Sequence, residues 1–246
     1  MQNSSIGSRA TKALLISVAL LLSPFVIAGQ DEPVTAQVRI QRPASVKAEK
    51  SRDSSEVVIW LVPSEGGAPP MVSPAKKPQV VQKNKAFHPH LTVVRVGSAV
   101  DFPNRDPFFH NVFSMFDGKR FDLGLYEAGA TNSVRFDHPG VSFLFCNIHP
   151  EMSAVVVAVE TPYYSVSDKN GAVSLAGVPD GKYELHVWYE RSSVDALKGL
   201  TRAVHLTAES RDLGVITVPQ DPGFTTAHKN KYGQDYTPPP AQTYQH

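Results

Sequence analysis

The sequence predicts an all-β protein. Short runs rich in Val, Ile, Phe and Tyr recur from Val34 to Val218, and turn signals separate them at intervals of about ten residues. The one stretch with helical spacing, Val194 to Leu200, is too short to be stable by itself. With 41% hydrophobic and 19% charged residues, the chain of 246 residues can bury a core, and its length suits one or two domains.

The N-terminus carries Arg9 and Lys12, then the apolar run Ala13 to Leu22, then Ser23-Pro24 and a second apolar patch ending at Ala28. Val26 and Ala28 before Gly29 fit the cleavage pattern of a secretory signal peptide, so residues 1–28 are expected to be removed on export. An uncleaved anchor is the alternative, but Pro24 interrupts a run at the short limit of what a bilayer needs. The mature chain is expected to be soluble and periplasmic, and it would hold 22 basic against 23 acidic residues. That balance points to neither nucleic acid nor an anionic membrane.

Val34 to Ile40 and Glu56 to Val62 read as strands, and the proline- and glycine-rich run Pro63 to Pro78 reads as a linker. Strands are expected next at Gln79 to Gln82, Leu91 to Val96, Ala99 to Phe102, His110 to Phe113, Ser133 to Phe136, Gly140 to Phe145 and Ala154 to Val159. After Thr161-Pro162 come Tyr163 to Val166, Ala172 to Leu175, Gly181 to Tyr189, Ala203 to Leu206 and Gly214 to Val218. Residues 221–246 lack periodicity and carry a PPP run, so they are expected to form a disordered tail. Ten of the twelve phenylalanines fall between Phe87 and Phe145, which marks the densest apolar core.

Cys146 is the single cysteine. One thiol excludes an intramolecular disulfide, a CxxC pair, a Cys-rich zinc site and an iron–sulfur cluster. What remains is a buried hydrophobe, a nucleophile, or one ligand in a mixed site. In Cys146-Asn147-Ile148-His149-Pro150-Glu151-Met152 a thiolate, an imidazole and a thioether share one short loop, and His110 lies upstream. Each residue alone reads as ordinary packing. Together, two histidines and a thiolate in a plane with a long axial thioether form the donor set of a blue copper electron-transfer site: His110, Cys146, His149 and Met152. One copper ion, alternating between Cu(I) and Cu(II), is the expected cofactor.

The stretches FHPHLTVVRVGSAVDFPNRD, HNVFS, FDLGLY, VRFDHPGVSFLFCNIHPEM and AVVVAVE resemble a cupredoxin of the plastocyanin, pseudoazurin and amicyanin type, and the ligand loop is most similar to that of amicyanin. The resemblance implies a Greek-key β-sandwich with the metal at one end. It implies that Asn111 braces the cysteine loop and that His149 is the exposed electron port. Asn147 and Ile148 depart from the Ser or Thr after the cysteine and the Pro before the histidine found in many members. Phe108, Phe109 and Phe113 are candidates for excluding water from the site, or ordinary core.

The turns Asp168-Lys169-Asn170-Gly171 and Val178-Pro179-Asp180-Gly181-Lys182-Tyr183 resemble the transthyretin-like carboxypeptidase regulatory domain. Residues 161–219 are marginal as an independent core. The expected organisation is therefore a cupredoxin domain (76–160) inserted into a transthyretin-like sandwich, whose first strands and linker are residues 29–75 and whose remainder is 161–220. Trp60 and Trp188 would share one core. The combined layout also resembles exported proteins of methylamine-utilisation type, which carries no substrate information.

Other chemistries fit less well. Phe87-His88-Pro89-His90 holds an H-x-H, read as alternate histidines on a strand edge rather than a second copper site. A multicopper oxidase needs a histidine beside the cysteine, where Asn147 stands. A Cys–His nucleophile leaves Met152 unexplained, and no GxSxG, P-loop or GxGxxG is present. The expected function is non-enzymatic: a one-electron carrier between redox protein partners, with copper binding and delivery as the alternative and a metal-free structural module as the third. No small-molecule substrate, nucleic acid or membrane partner is expected.

Overall fold

The structure, a computed structural model, describes residues 32–43, 53–66, 76–115 and 118–236. The signal-peptide segment and residues 67–75 of the linker lie outside the described residues, as do residues 237–246 of the tail. Two strands come first, β1 (Val34–Gln41) and β2 (Val58–Pro63). The central stretch carries β3 (Val81–Lys83), β4 (Ala86–His88), β5 (Leu91–Arg95), β6 (Ser98–Pro103), β7 (His110–Ser114), β8 (Phe121–Tyr126), β9 (Thr131–Phe136), β10 (Gly140–Phe145) and β11 (Ser153–Val159). There follow β12 (Tyr164–Val166), β13 (Ala172–Leu175), β14 (Gly181–Trp188), helix α1 (Val194–Lys198), β15 (Arg202–Leu206) and β16 (Asp212–Pro219). Among the described residues the fold is all-β apart from this single helical turn, which Ser193 caps by accepting the Ala196 N–H.

In the central stretch one sheet runs β5-β11-β10-β7-β8, and β6 pairs with β9. β11 is antiparallel to β10, with Phe145 opposite Ser153, and parallel to β5, with Val157 opposite Val93. Phe102, Val112, Phe136, Leu144, Cys146, Met152 and Val156 meet in one buried cluster between these strands. The cysteine and the methionine are thus at the end of the apolar core.

The strands on either side of this stretch pair with one another. β1 is antiparallel to β13 and parallel to β16, and a second sheet runs β12-β2-β14-β15. β1 alternates buried and exposed along its length, placing Val34, Ala36, Val38 and Ile40 in a core with Ile59, Leu61, Leu185, Ile216 and Val218. The turn before β13 requires Gly171: its φ is 83°, and a Cβ there would lie 2.1 Å from the Val38 carbonyl oxygen.

β11 is apolar along nearly its whole length because both its faces are covered. Ala154, Val156 and Ala158 face the cluster that holds Cys146, while Val155, Val157 and Val159 pack on Val58 and Trp188. Trp60 and Trp188 do come together, but in this shared layer and not in the core formed by β1, β2 and β14. The alternation of β2 and β14 sends Ile59, Leu61, Leu185 and Val187 into that core and puts the tryptophans on the opposite face.

His90 crosses the same boundary. Its Nε2 lies 2.7 Å from the Glu190 carboxylate and its Nδ1 3.1 Å from the Ser153 carbonyl oxygen. Both partners are acceptors, so both ring nitrogens carry protons when both bonds are made. The Glu190 hydrogen bond raises the His90 pKa above the ordinary histidine value, against the opposing effect of burial. A raised histidine pKa contributes stability that is fully present below about pH 6.5 and is lost as the pH rises through the folded-state value. The metal-free protein is therefore expected to unfold at lower urea concentration at pH 9 than at pH 6, and His90→Gln to flatten that dependence. Equal slopes for the two proteins would show that the pair carries no such linkage.

Candidate metal centre

His110 opens β7, a strand buried at every position, and Cys146 follows the last residue of β10. The loop between β10 and β11 is closed on itself: the Cys146 N–H donates to the Met152 carbonyl at 3.3 Å, and the Met152 N–H to the His149 carbonyl at 3.1 Å. A hairpin register with Phe145 opposite Ser153 therefore forces three potential donors onto one tight turn.

Cys146 Sγ lies 3.9 Å from His110 Nδ1 and 3.6 Å from His149 Nδ1. Ligand atoms of the three residues all fall within 4.8 Å of one another, and theirs is the only such three-donor group among the described residues. The spacing can be tested against bond lengths. In a trigonal plane, bonds of about 2.0 Å to nitrogen and about 2.3 Å to sulfur place N and S about 3.7 Å apart. The two observed separations bracket that value, so the residues fit a mononuclear first-row metal. Met152 is fully buried in the cluster that holds the thiol.

The first histidine is held in one orientation. His110 Nε2–H donates to Asp106 Oδ2 at 2.8 Å, both side chains being buried, which leaves the Nδ1 lone pair facing the sulfur. Asp106 also accepts the backbone N–H groups of Asn84 at 2.6 Å and Lys85 at 2.9 Å. These two residues form the turn between β3 and β4, each with φ of 55°, and aim successive amides at one carboxylate. Burial pushes the Asp106 carboxyl up, but the amides and His110 together outweigh it and hold the group below the ordinary carboxylate range.

Burial raises the Cys146 thiol pKa against the lowering effect of the Ile148, Asn111 and His149 backbone N–H groups. Burial, with His110 next, lowers that of His149. Both shifts favour the uncharged forms of Cys146 and His149 in the metal-free site, so a bound cation must displace the thiol proton.

Asn111 Oδ1 accepts the Asn147 N–H at 3.3 Å, while its amide donates to Asp122 Oδ1 at 2.7 Å and the Gly124 carbonyl at 2.9 Å. The ring of Phe108 packs 5.1 Å from His110 and 5.8 Å from His149, centroid to centroid, and so covers both imidazoles. Phe113 packs on Phe145 instead, and Phe109 is 55% exposed. His149 is half-buried, beside exposed Ile148 and Pro150. His88 is exposed and His90 is engaged by Glu190, so neither joins a three-donor group among the described residues.

Three features of the site escape the sequence reading. Asp106 sits in Asn104-Arg105-Asp106-Pro107, which reads as a turn, and its role depends on a second turn about twenty residues upstream. β8, which carries Asp122, was not among the expected strands. The third is the tail. Residues 221–236, expected to be disordered, lie against the ligand loop: His228 stacks on Phe145 at 4.0 Å, and the Tyr236 hydroxyl donates to the Cys146 carbonyl at 2.7 Å.

No protein-family model matches the chain, and no curated protein matches it. Solved structures do. A purple cupredoxin from Nitrosopumilus maritimus is 22% identical over 34% of this chain and 100% of its own, with a TM-score of 0.31. A reduced, Cu(I) variant of amicyanin is 23% identical over 41% of this chain and 98% of its own, with a TM-score of 0.33. A copper-containing nitrite reductase from Thermus scotoductus SA-01 is 19% identical over 50% of this chain but only 28% of its own, with a TM-score of 0.33. Residues 81–159 thus form a β-sandwich with a candidate metal site, the His110–Cys146–His149 cluster, at the end of its core.

Proposed function

We propose that this chain is an exported type 1 copper protein that carries one electron between redox protein partners and catalyses no reaction of its own. The observation that supports it best is the convergence of Cys146 Sγ with His110 Nδ1 and His149 Nδ1 at distances matching a trigonal metal site. His110, Cys146, His149 and Met152 would hold the ion. Copper bound there would contribute a reversible one-electron couple.

The chain's own residues suit that task. The Asp106 carboxylate and the Asn84–Lys85 amides keep His110 in one tautomer and orientation, and Asn111 holds the loop at Asn147. Phe108 excludes water from both imidazoles, and the half-buried edge of His149 beside Ile148 is the natural contact for a partner. Near-neutral charge favours an apolar docking surface over a charged one. Among the described residues no helix is long and apolar enough to cross a membrane.

The cupredoxin part is proposed to be inserted into a transthyretin-like sandwich. The pairing of β1 with β13 and β16, and of β2 with β12 and β14, supports this.

Copper loading tests the reading. Intense visible absorption from a copper–thiolate bond, with reversible fast voltammetry, is the expected result. A colourless Cu(II)-loaded protein overturns the type 1 assignment. A coloured protein that gives copper up rapidly to a weak chelator favours delivery over carriage.

A further inference from the structure

The segment after β16 closes a ring of hydrogen bonds around the ligand loop. The Lys231 N–H donates to Asn147 Oδ1 at 3.0 Å, and the Asn147 N–H donates to Asn111 Oδ1 at 3.3 Å. Asn111 donates in turn to Asp122 Oδ1 at 2.7 Å, and Asp122 Oδ2 receives Lys231 Nζ at 2.6 Å. Beside this ring, Tyr236 donates to the carbonyl of Cys146 itself, and the His228 ring lies flat on Phe145, the residue before the cysteine. His228 Nδ1 is 3.2 Å from the Tyr236 hydroxyl, which ties the two contacts together. Asn147 thus uses its backbone on one support and its side chain on another. A serine or threonine at position 147 has a shorter side chain than this contact uses, so the strap gives the departure from the family pattern there a physical role.

We propose that residues 221–236 are a strap that positions the ligand loop and slows loss of the metal, with Tyr236 and Lys231 as its positioning residues. Neither residue touches the metal donor atoms: Tyr236 acts through the Cys146 carbonyl, and Lys231 acts through Asn147 by its backbone N–H and through Asp122, the partner of Asn111, by its side chain. Copper can leave only if the loop from Cys146 to Met152 opens, because three of the four donors sit on it. Two supports hold that loop: Asn111 from within the sandwich and the strap from the far end of the chain. Removing the strap's bonds leaves the Asn111–Asn147 bond itself in place, takes Lys231 away from the Asp122 carboxylate behind it, and makes local opening more frequent. Retention of copper is what a carrier requires and a donor protein does not, so the strap deepens the carrier reading. Its consequence for copper rests on that reading, whereas its geometry does not.

The test uses the full chain with Tyr236→Phe, Lys231→Met and the two combined. In the metal-free protein, amide hydrogen exchange at Asn147, Ile148 and His149 is expected to quicken by about twofold to tenfold per bond lost, the range of a single net hydrogen bond. Exchange in β1, β2 and β14 should stay at the wild-type rate, which a general loss of stability would not allow. In the copper-loaded protein, transfer of Cu(I) to an excess of chelator should quicken by a similar factor. Wild-type exchange at the loop in the double variant overturns the strap, as does faster exchange spread evenly over the protein. Quickened loop exchange in the variants, combined with a wild-type protein that proves colourless with Cu(II), supports the strap and overturns only the copper assignment.

Discussion

Cu(II)-loaded Cys146→Ser protein is expected to lose all of its intense visible absorption while keeping its fold. The argument is chemical first. A serine hydroxyl is a hard, weakly acidic donor and cannot provide the thiolate whose bond to copper gives the colour. The chain holds no second cysteine to replace it. The structural cost is small. Cys146 is fully buried, but backbone N–H groups of Ile148, Asn111 and His149 already point at the sulfur and can donate to Oγ instead. A buried hydroxyl that finds partners costs less than an orphaned one, so destabilisation should stay under about 2 kcal/mol. Absorption after Cu(II) addition, alongside urea unfolding of the metal-free variant, checks both halves. Colour that survives the substitution places the chromophore elsewhere.

Asp106→Ala is expected to weaken copper binding by about 10- to 100-fold, the range for losing a carboxylate that orients a ligating histidine. It should also destabilise the metal-free protein by about 1–3 kcal/mol, the cost of one unsatisfied buried donor, because His110 Nε2–H loses its acceptor in the core. The amides of Asn84 and Lys85 lose theirs too, but these residues are exposed and water can take the carboxylate's place. Those amides belong to residues with left-handed backbone, a conformation that costs non-glycine residues about 1–2 kcal/mol each and that Asp106 helps to hold. Asp106→Asn keeps an acceptor for His110 but turns an NH2 group toward one backbone amide, and should fall between the two. Competition for Cu(I) against a chromophoric chelator measures the affinity. Wild-type affinity in Asp106→Ala means that His110 needs no such anchor.

How much of this is readable from the chain differs by element. Strands such as β1 and β11 announce themselves through alternation or an unbroken apolar run, because burial on one face or two dictates those patterns. β8 does not. Gly124 breaks its period, and Leu125 is 59% exposed, so Phe121 to Tyr126 carries no clean signal. β4 is three residues long, between a tight turn and Pro89. The four proposed donors are legible because three share one loop and chemistry restricts which residue types can meet there. Asp106 is not, since its partners come from a turn distant in sequence. The strap is invisible for a different reason. It is held by hydrogen bonds to the loop's backbone and side-chain amides and by one ring stack, none of which leaves a hydrophobic period.

The double-faced burial of β11 bears on how another protein can approach. Val155, Val157 and Val159 are covered by the chain's own Val58 and Trp188, so that flank of the central sandwich is a closed wall. For the proposed carrier, the flanking strands take one broad face out of reach and leave the end with exposed Ile148 and the half-buried edge of His149 open to a partner.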